Sequence, residues 1–289
     1  MTAPANRDAG ARRRNLVLRV ASSAVLVPVA LAVAYAGGWT FSVLCVVAAL
    51  GIFWEWSRLT GSAGAAVLTL GVTAIVAGFA FTGFGYAATA AAALAIGAIL
   101  AGLAVSLAGT AGQSASMRGI WAAGGVIYAG AAFLGPALLR RDTEFGFAAF
   151  LFVALIVWST DTSAFAAGRA IGGPLLWPKV SPNKTWVGVL GGLAGGVAGG
   201  TLVAYADGLG RLPAVGVIAL LLSALAQAGD LLESAIKRHF GVKDTSQLIP
   251  GHGGLMDRLD GFLVAAAAAL VIGLLRQGAT APAHGLLVW

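Results

Sequence analysis

The chain has 289 residues, 59% of them hydrophobic and 10% charged, with a mean hydropathy of +0.90 and a formal charge of +7. Soluble domains carry about a quarter charged residues, so this composition excludes a soluble globular protein. A pI near 10.2 would suit nucleic acid, but Arg7, Arg12, Arg13, Arg14 and Arg19 gather at the N-terminus, where a membrane-flanking cluster explains them without a nucleic-acid partner.

Only helices or closed barrels satisfy backbone polar groups in lipid. Continuous apolar runs near 20 residues, without period-2 alternation, select helices. The runs predict helices near 16–36, 39–54, 64–84, 86–108, 119–139, 145–165, 186–206, 213–229 and 262–276, an all-α integral membrane protein with about nine spans. The turn within 64–108 is hidden in Ala/Gly-rich sequence and is placed at "TGFGY". The basic start followed by an apolar run also fits a cleaved signal peptide, but a first transmembrane helix explains the same residues, and eight apolar segments follow. Cys45 is the only cysteine, which rules out an intrachain disulfide and a cysteine-rich metal site.

With nine spans and the N-terminus inside, inner segments hold 14 Lys/Arg and outer ones only Arg140, Arg141, Arg211 and Arg276. This asymmetry predicts a cytoplasmic N-terminus. The chain then divides into a basic tail (1–15), N-terminal helices (16–140) and a C-terminal region (141–289) with cytoplasmic loops at 166–185 and 230–261. In the N-terminal helices, Glu55 in "FWEWSRL" and Tyr128 are the conspicuous polar residues, whereas seven of the 11 acidic residues fall between 161 and 260. The chemistry therefore belongs to the C-terminal half. The stretch "GVLGGLAGGVAGG" (188–200) has small-xxx-small spacing suited to close helix packing, and hints at a homodimer. No P-loop lysine follows it.

Asp161 in "WSTDTSAFAAGR" sits at the inner end of a span. A carboxylate at membrane depth is costly unless paired, solvated or metal-bound, which marks a site; a structural pair with Arg169 or Lys184 is the plainer alternative. "WPKVSPNKTW" (177–186) offers Ser181, Asn183, Lys184 and Thr185 on a segment held extended by prolines, groups suited to phosphate oxygens. In "GDLLESAIKRHFG", Asp230 and Glu233 read either as an N-cap with its capping box or, if the preceding helix continues, as part of a polar face that puts Asp230, Ser234 and Lys237 together. Gly241 ends that helix in both readings. Asp257 and Asp260, at i and i+3, point the same way on a helix, and paired carboxylates need a cation between them. Hard oxygen ligands select Mg²⁺, and "PGHGG" upstream, with His252, Gly253 and Gly254, allows close backbone approach to a ligand. Carboxylates, Lys/Arg and a glycine-rich turn together suit a metal, nucleotide and phosphate complex.

These motifs resemble those of the phosphatidate cytidylyltransferase (CDP-diacylglycerol synthase) family. Ser234, Ile236, Lys237, Arg238, Lys243, Asp244, Pro250, His252, Gly253, Gly254, Leu255, Asp257, Arg258, Leu259 and Asp260 are similar to its C-terminal signature at every defined position. Asp161 to Arg169 and Ser181 to Trp186 resemble its two upstream patterns. One departure is Val187, where the family usually has glutamate.

The resemblance implies transfer of CMP from CTP to phosphatidate with Mg²⁺, and leaves open a second, monovalent cation. It implies Asp230 and Asp257 as metal ligands, supported by Asp260 and Asp161. Lys184, Lys237, Arg238 and Arg258 are expected around the phosphates, with Ser181, Asn183, Thr185, Ser234, Lys243, His252, Gly253 and Gly254 binding substrate. The expected setting is a bacterial-type inner membrane, with lipid entering sideways and CTP arriving from the cytoplasm. A CTP-dependent lipid kinase shares these substrates and differs in its co-product; a secondary transporter accounts for the helices and not for the loop motif.

Overall fold

A computed structural model describes residues 5–108, 113–209, 211–249 and 253–289, with backbone alone for 5–16, 19, 113 and 114. Ten helices follow in order: α1 (Ala5–Ala36), α2 (Gly38–Leu59), α3 (Ala65–Gly83), α4 (Ala87–Ala108), α5 (Gln113–Arg140), α6 (Gly146–Ile171), α7 (Trp186–Ala206), α8 (Leu212–His239), α9 (Met256–Gln277) and α10 (Pro282–Leu287). Eight of the described helices, α2 to α9, contain stretches long and apolar enough to cross a membrane, and Val20–Ala36 of α1 is a shorter apolar segment. The chain is an all-α multipass membrane protein. Many large apolar side chains, such as Leu107, Leu190, Val217 and Leu275, lie exposed on the helices, as lipid-facing positions should.

Two buried clusters organise the bundle. One, around Phe53, Trp56, Ile75 and Phe133, joins α2 to α5 and reaches α8 and α9; the other, around Phe152, Ile156, Leu222 and Leu286, joins α6 to α10. The helix ends segregate as alternating spans require. Arg140, ending α5, donates from Nε to Ala34 O (2.5 Å) and from Nη2 to Tyr35 O (2.8 Å) at the end of α1, and Asp142 Oδ2 accepts the His284 N–H (3.1 Å) of α10. At the other end, α2 meets the segment before α9, and Arg238 reaches Val180 O (3.4 Å).

Both polar segments are more helical than the sequence reading has them. α6 continues through Ile171, and α8 through His239, ten residues beyond the expected end; α9 starts at Met256 rather than 262. The reading stops each span where charges begin, but Ala, Leu, Glu, Lys and Arg are strong helix formers and carry the helices on. What ends them is glycine with positive φ, Gly172 at 74° and Gly241 at 70°. The N-cap reading of Asp230 is thereby replaced by the continuous one. The extended segment between α6 and α7 is a hairpin, β1 (Leu175–Trp177) antiparallel to β2 (Ser181–Thr185).

α6 and α7 form the most extensive helix pair. Gly188, Gly192, Gly196 and Gly200 are buried along α7; at Gly196 the room left takes Thr160 of α6 and Ser223 of α8, while Gly195 and Gly199 leave room for Ser163 and Ser159 of α6. Thr160 and Ser223 hydrogen-bond across this gap at 2.7 Å. The small-residue stripe is a packing seam between α6, α7 and α8.

Candidate functional site

A cavity of about 710 Å³ opens between α6, α7, α8 and the β2 strand. Its polar lining is Asp161 and Arg169 from α6, Ser181, Asn183, Lys184 and Thr185 from β2, and Gln227 and Asp230 from α8; Ala164, Phe165 and Val189 supply an apolar side. The local sequence explains the arrangement. Thr185 caps α7, its Oγ1 accepting the Gly188 N–H at 3.0 Å, which fixes where the strand becomes helix. Lys184, one residue earlier, is thereby aimed across the cavity to form an ion pair with Asp230. Asp161 stays exposed to the cavity and pairs with neither Arg169 nor Lys184 among the described residues.

Asp230 also belongs to a second group. Carboxylate oxygens of Asp230, Glu233 and Asp260 lie within 4.8 Å of one another where α8 crosses α9. Glu233 is 1% exposed, and neither of its oxygens accepts a hydrogen bond. Lys237 Nζ stands 2.9 Å from Glu233 Oε2, an ion pair without hydrogen-bond alignment, and 2.7 Å from Asp257 Oδ1, to which it donates. Ser234 Oγ lies 3.4 Å from Asp230 Oδ1. Four carboxylates facing two lysines leave a formal deficit of positive charge, and hard oxygen donors with free lone pairs fit a divalent cation.

Asp257 and Asp260 share a side of α9, as their spacing predicts, but serve different neighbours. Asp257 lies outside the three-carboxylate group: Oδ1 takes Lys237, while Oδ2 accepts Thr245 N (3.0 Å), Thr245 Oγ1 (3.0 Å) and Gly254 N (2.9 Å). Glu233, which the sequence reading weighs as part of a helix cap, stands with Asp230 and Asp260 in that group. The spacing of Asp230 and Glu233 on a continuous helix is the signal that identifies it. Gly254 admits these contacts because it has no side chain; a Cβ there would stand 2.8 Å from Glu55 Oε1 and 3.0 Å from Asp257 Oδ2.

Among the expected cations, Arg238 bonds to Val180 O and Val242 O, both at 3.4 Å, and ties the hairpin to α8. Lys243 and Arg258 are exposed at the mouth of the loop, and His252 lies outside the described residues. Val187 is absent from the cavity lining, and its Cγ2 faces the Gly173 turn. Val187→Glu is therefore expected to leave turnover and Mg²⁺ dependence within about twofold, as for substitutions outside packed cores and charge networks. A tenfold gain in apparent Mg²⁺ affinity would show that a carboxylate at 187 reaches the site.

The sequence matches the Cytidylyltransferase family over residues 17–275. It is 42% identical over 267 residues to the phosphatidate cytidylyltransferase of Brucella abortus biovar 1 (strain 9-941), covering 89% of this chain and 93% of that protein. To the phosphatidate cytidylyltransferase of Bacillus subtilis (strain 168) it is 39% identical over 139 residues, 47% of this chain and 51% of the relative. To the phosphatidate cytidylyltransferase of Staphylococcus saprophyticus subsp. saprophyticus it is 41% identical over 139 residues, 48% of this chain and 52% of the relative.

Proposed function

The chain belongs to the cytidylyltransferase family, and from that premise we propose that it transfers CMP from CTP to phosphatidate, giving CDP-diacylglycerol and pyrophosphate. The observation that carries this reading is Asp230, which lies on the polar side of the cavity and at the same time joins the acidic group beside it.

The lipid phosphate is largely dianionic near neutral pH, so one of its oxygens attacks the α-phosphorus of CTP without a strong base. The new bond forms to the lipid phosphate as the bond to the β-phosphate bridge breaks, and pyrophosphate leaves with that electron pair. Lys184 and Arg169 neutralise phosphate charge from two walls of the cavity, and Ser181 and Asn183 hold oxygens in line. Arg238, Lys243 and Arg258 attract the nucleotide's phosphates to the loop face. Asp230, Glu233 and Asp260 would hold Mg²⁺, with Asp161 facing the same space and a monovalent cation as a second candidate; the metal, when bound, neutralises charge building on the phosphates. Asp257 acts on this group through Lys237.

The acyl chains remain in the bilayer while the headgroup enters past the apolar side of the cavity, at Phe165 and Val189. The excess of Lys/Arg on the side that carries this site supports a cytoplasmic-facing site in a bacterial-type inner membrane.

The test is incubation of the purified protein in phosphatidate-containing micelles with Mg²⁺ and CTP labelled separately at the α- and γ-phosphates. The expected result is α-label in lipid and γ-label in pyrophosphate. γ-Label in lipid would make the protein a lipid kinase, and no label in lipid would favour the transporter.

A further inference from the structure

Among the described residues Glu55 is the one buried acidic residue of the N-terminal half, and it takes no part in the cavity or in the three-carboxylate group. It sits on α2, 0% exposed, yet all its bonds go to residues about two hundred positions away. Oε1 accepts Ser246 Oγ (2.5 Å) and Leu255 N (2.8 Å); Oε2 accepts Thr245 Oγ1 (3.3 Å) and Met256 N (2.7 Å). The two backbone N–H groups belong to the first turn of α9, where helix donors have no partner of their own and a negative charge is favoured. The two hydroxyls belong to the segment that leads into the glycine turn. Glu55 thus ties Thr245 and Ser246 to Leu255 and Met256 at the start of α9.

The same tie holds Asp257. Thr245 gives its N–H to Asp257 Oδ2, and its one hydroxyl proton is shared between Asp257 Oδ2 (3.0 Å) and Glu55 Oε2 (3.3 Å), so the two carboxylates share one residue. Asp257 in turn orients Lys237 beside Glu233. A contiguous chain of contacts therefore runs from α2 through Thr245, Asp257 and Lys237 to the acidic group.

We propose that Glu55 is a positioning residue for the cytidylyl transfer site, clamping Thr245 and Ser246 to the start of α9 so that Asp257 and Lys237 set the acidic group. This rests on the function proposed above. Glutamine is a stringent probe, because in either orientation its NH₂ faces a backbone N–H, of Leu255 or of Met256, that the carboxylate accepts.

The experiment compares wild type, Glu55→Gln and Glu55→Asp as full chains in detergent, by amide hydrogen exchange and by steady-state kinetics. In Glu55→Gln the amides of 245–256 are expected to lose protection by about tenfold, while α6 and α7 keep theirs. The kcat is expected to fall by about 10- to 100-fold, as when an outer partner of a site is removed, with the KM for phosphatidate little changed. Glu55→Asp, which keeps both acceptors, should fall between the two. Unchanged exchange in 245–256, or loss of protection throughout α6 and α7, would overturn the clamp. So would loosened 245–256 with unchanged kcat. A wild type that transfers no α-label would instead defeat the functional reading, and exchange would still decide whether Glu55 clamps the loop.

Discussion

Replacing Asp230 by asparagine is expected to lower turnover by on the order of a thousandfold, comparable to removing a preorganised electrostatic group from a transition state. The fold should survive this change. The Asp230 side chain is 33% exposed and that of its partner Lys184 30%, and ion pairs with such access to water contribute about 1 kcal/mol or less. Activity depends on Asp230 for a different reason: it is common to the cavity lining and the acidic group, so its loss removes charge from both. Asparagine keeps the shape and one acceptor oxygen, which isolates the charge. The check pairs kcat across a Mg²⁺ titration with the thermal unfolding midpoint. A variant that keeps a tenth or more of wild-type turnover would remove Asp230 from the site, and one that unfolds many degrees lower would make the residue structural.

Much of this arrangement is legible in the chain itself, because lipid imposes a simple rule. Apolar runs must be helices, and charges at membrane depth must have a reason, so the helix order and the choice of Asp161, Asp230 and Asp260 as candidates follow from sequence. Helix ends are less legible. A span and a helix are different objects, and "DLLESAIKRH" stops the one without stopping the other. Spacing shows that Asp257 and Asp260 share a side of α9, but not that α8 presents an ammonium group to one and two carboxylates to the other. Glu55 is the extreme case. Its polar setting in "FWEWSRL" is conspicuous, but its partners, Thr245, Ser246, Leu255 and Met256, are brought to it only by the packing of α2 near α9. No local period encodes that meeting.

Lys237 is the residue whose loss should cost most in stability. Its side chain is 14% exposed and lies between Glu233 at 1% and Asp257 at 4%, so neither carboxylate has water to replace it. Removing one partner of a buried ion pair leaves an uncompensated charge and typically costs about 3 to 5 kcal/mol. Lys237→Met keeps the length of the stem and removes the ammonium group; its unfolding midpoint in detergent should fall accordingly, along with turnover. The sign of a second change separates charge from packing. If the deficit is electrostatic, Lys237→Met combined with Glu233→Gln should be more stable than Lys237→Met alone, because the best-buried charge left behind is then neutral. A double variant no more stable than the single one would mean that Lys237 supports the helix crossing by filling space. An unchanged midpoint in Lys237→Met would mean that Glu233 and Asp257 are compensated by another group. Activity should return in neither variant, since restoring stability by neutralising Glu233 dismantles the acidic group that Lys237 serves.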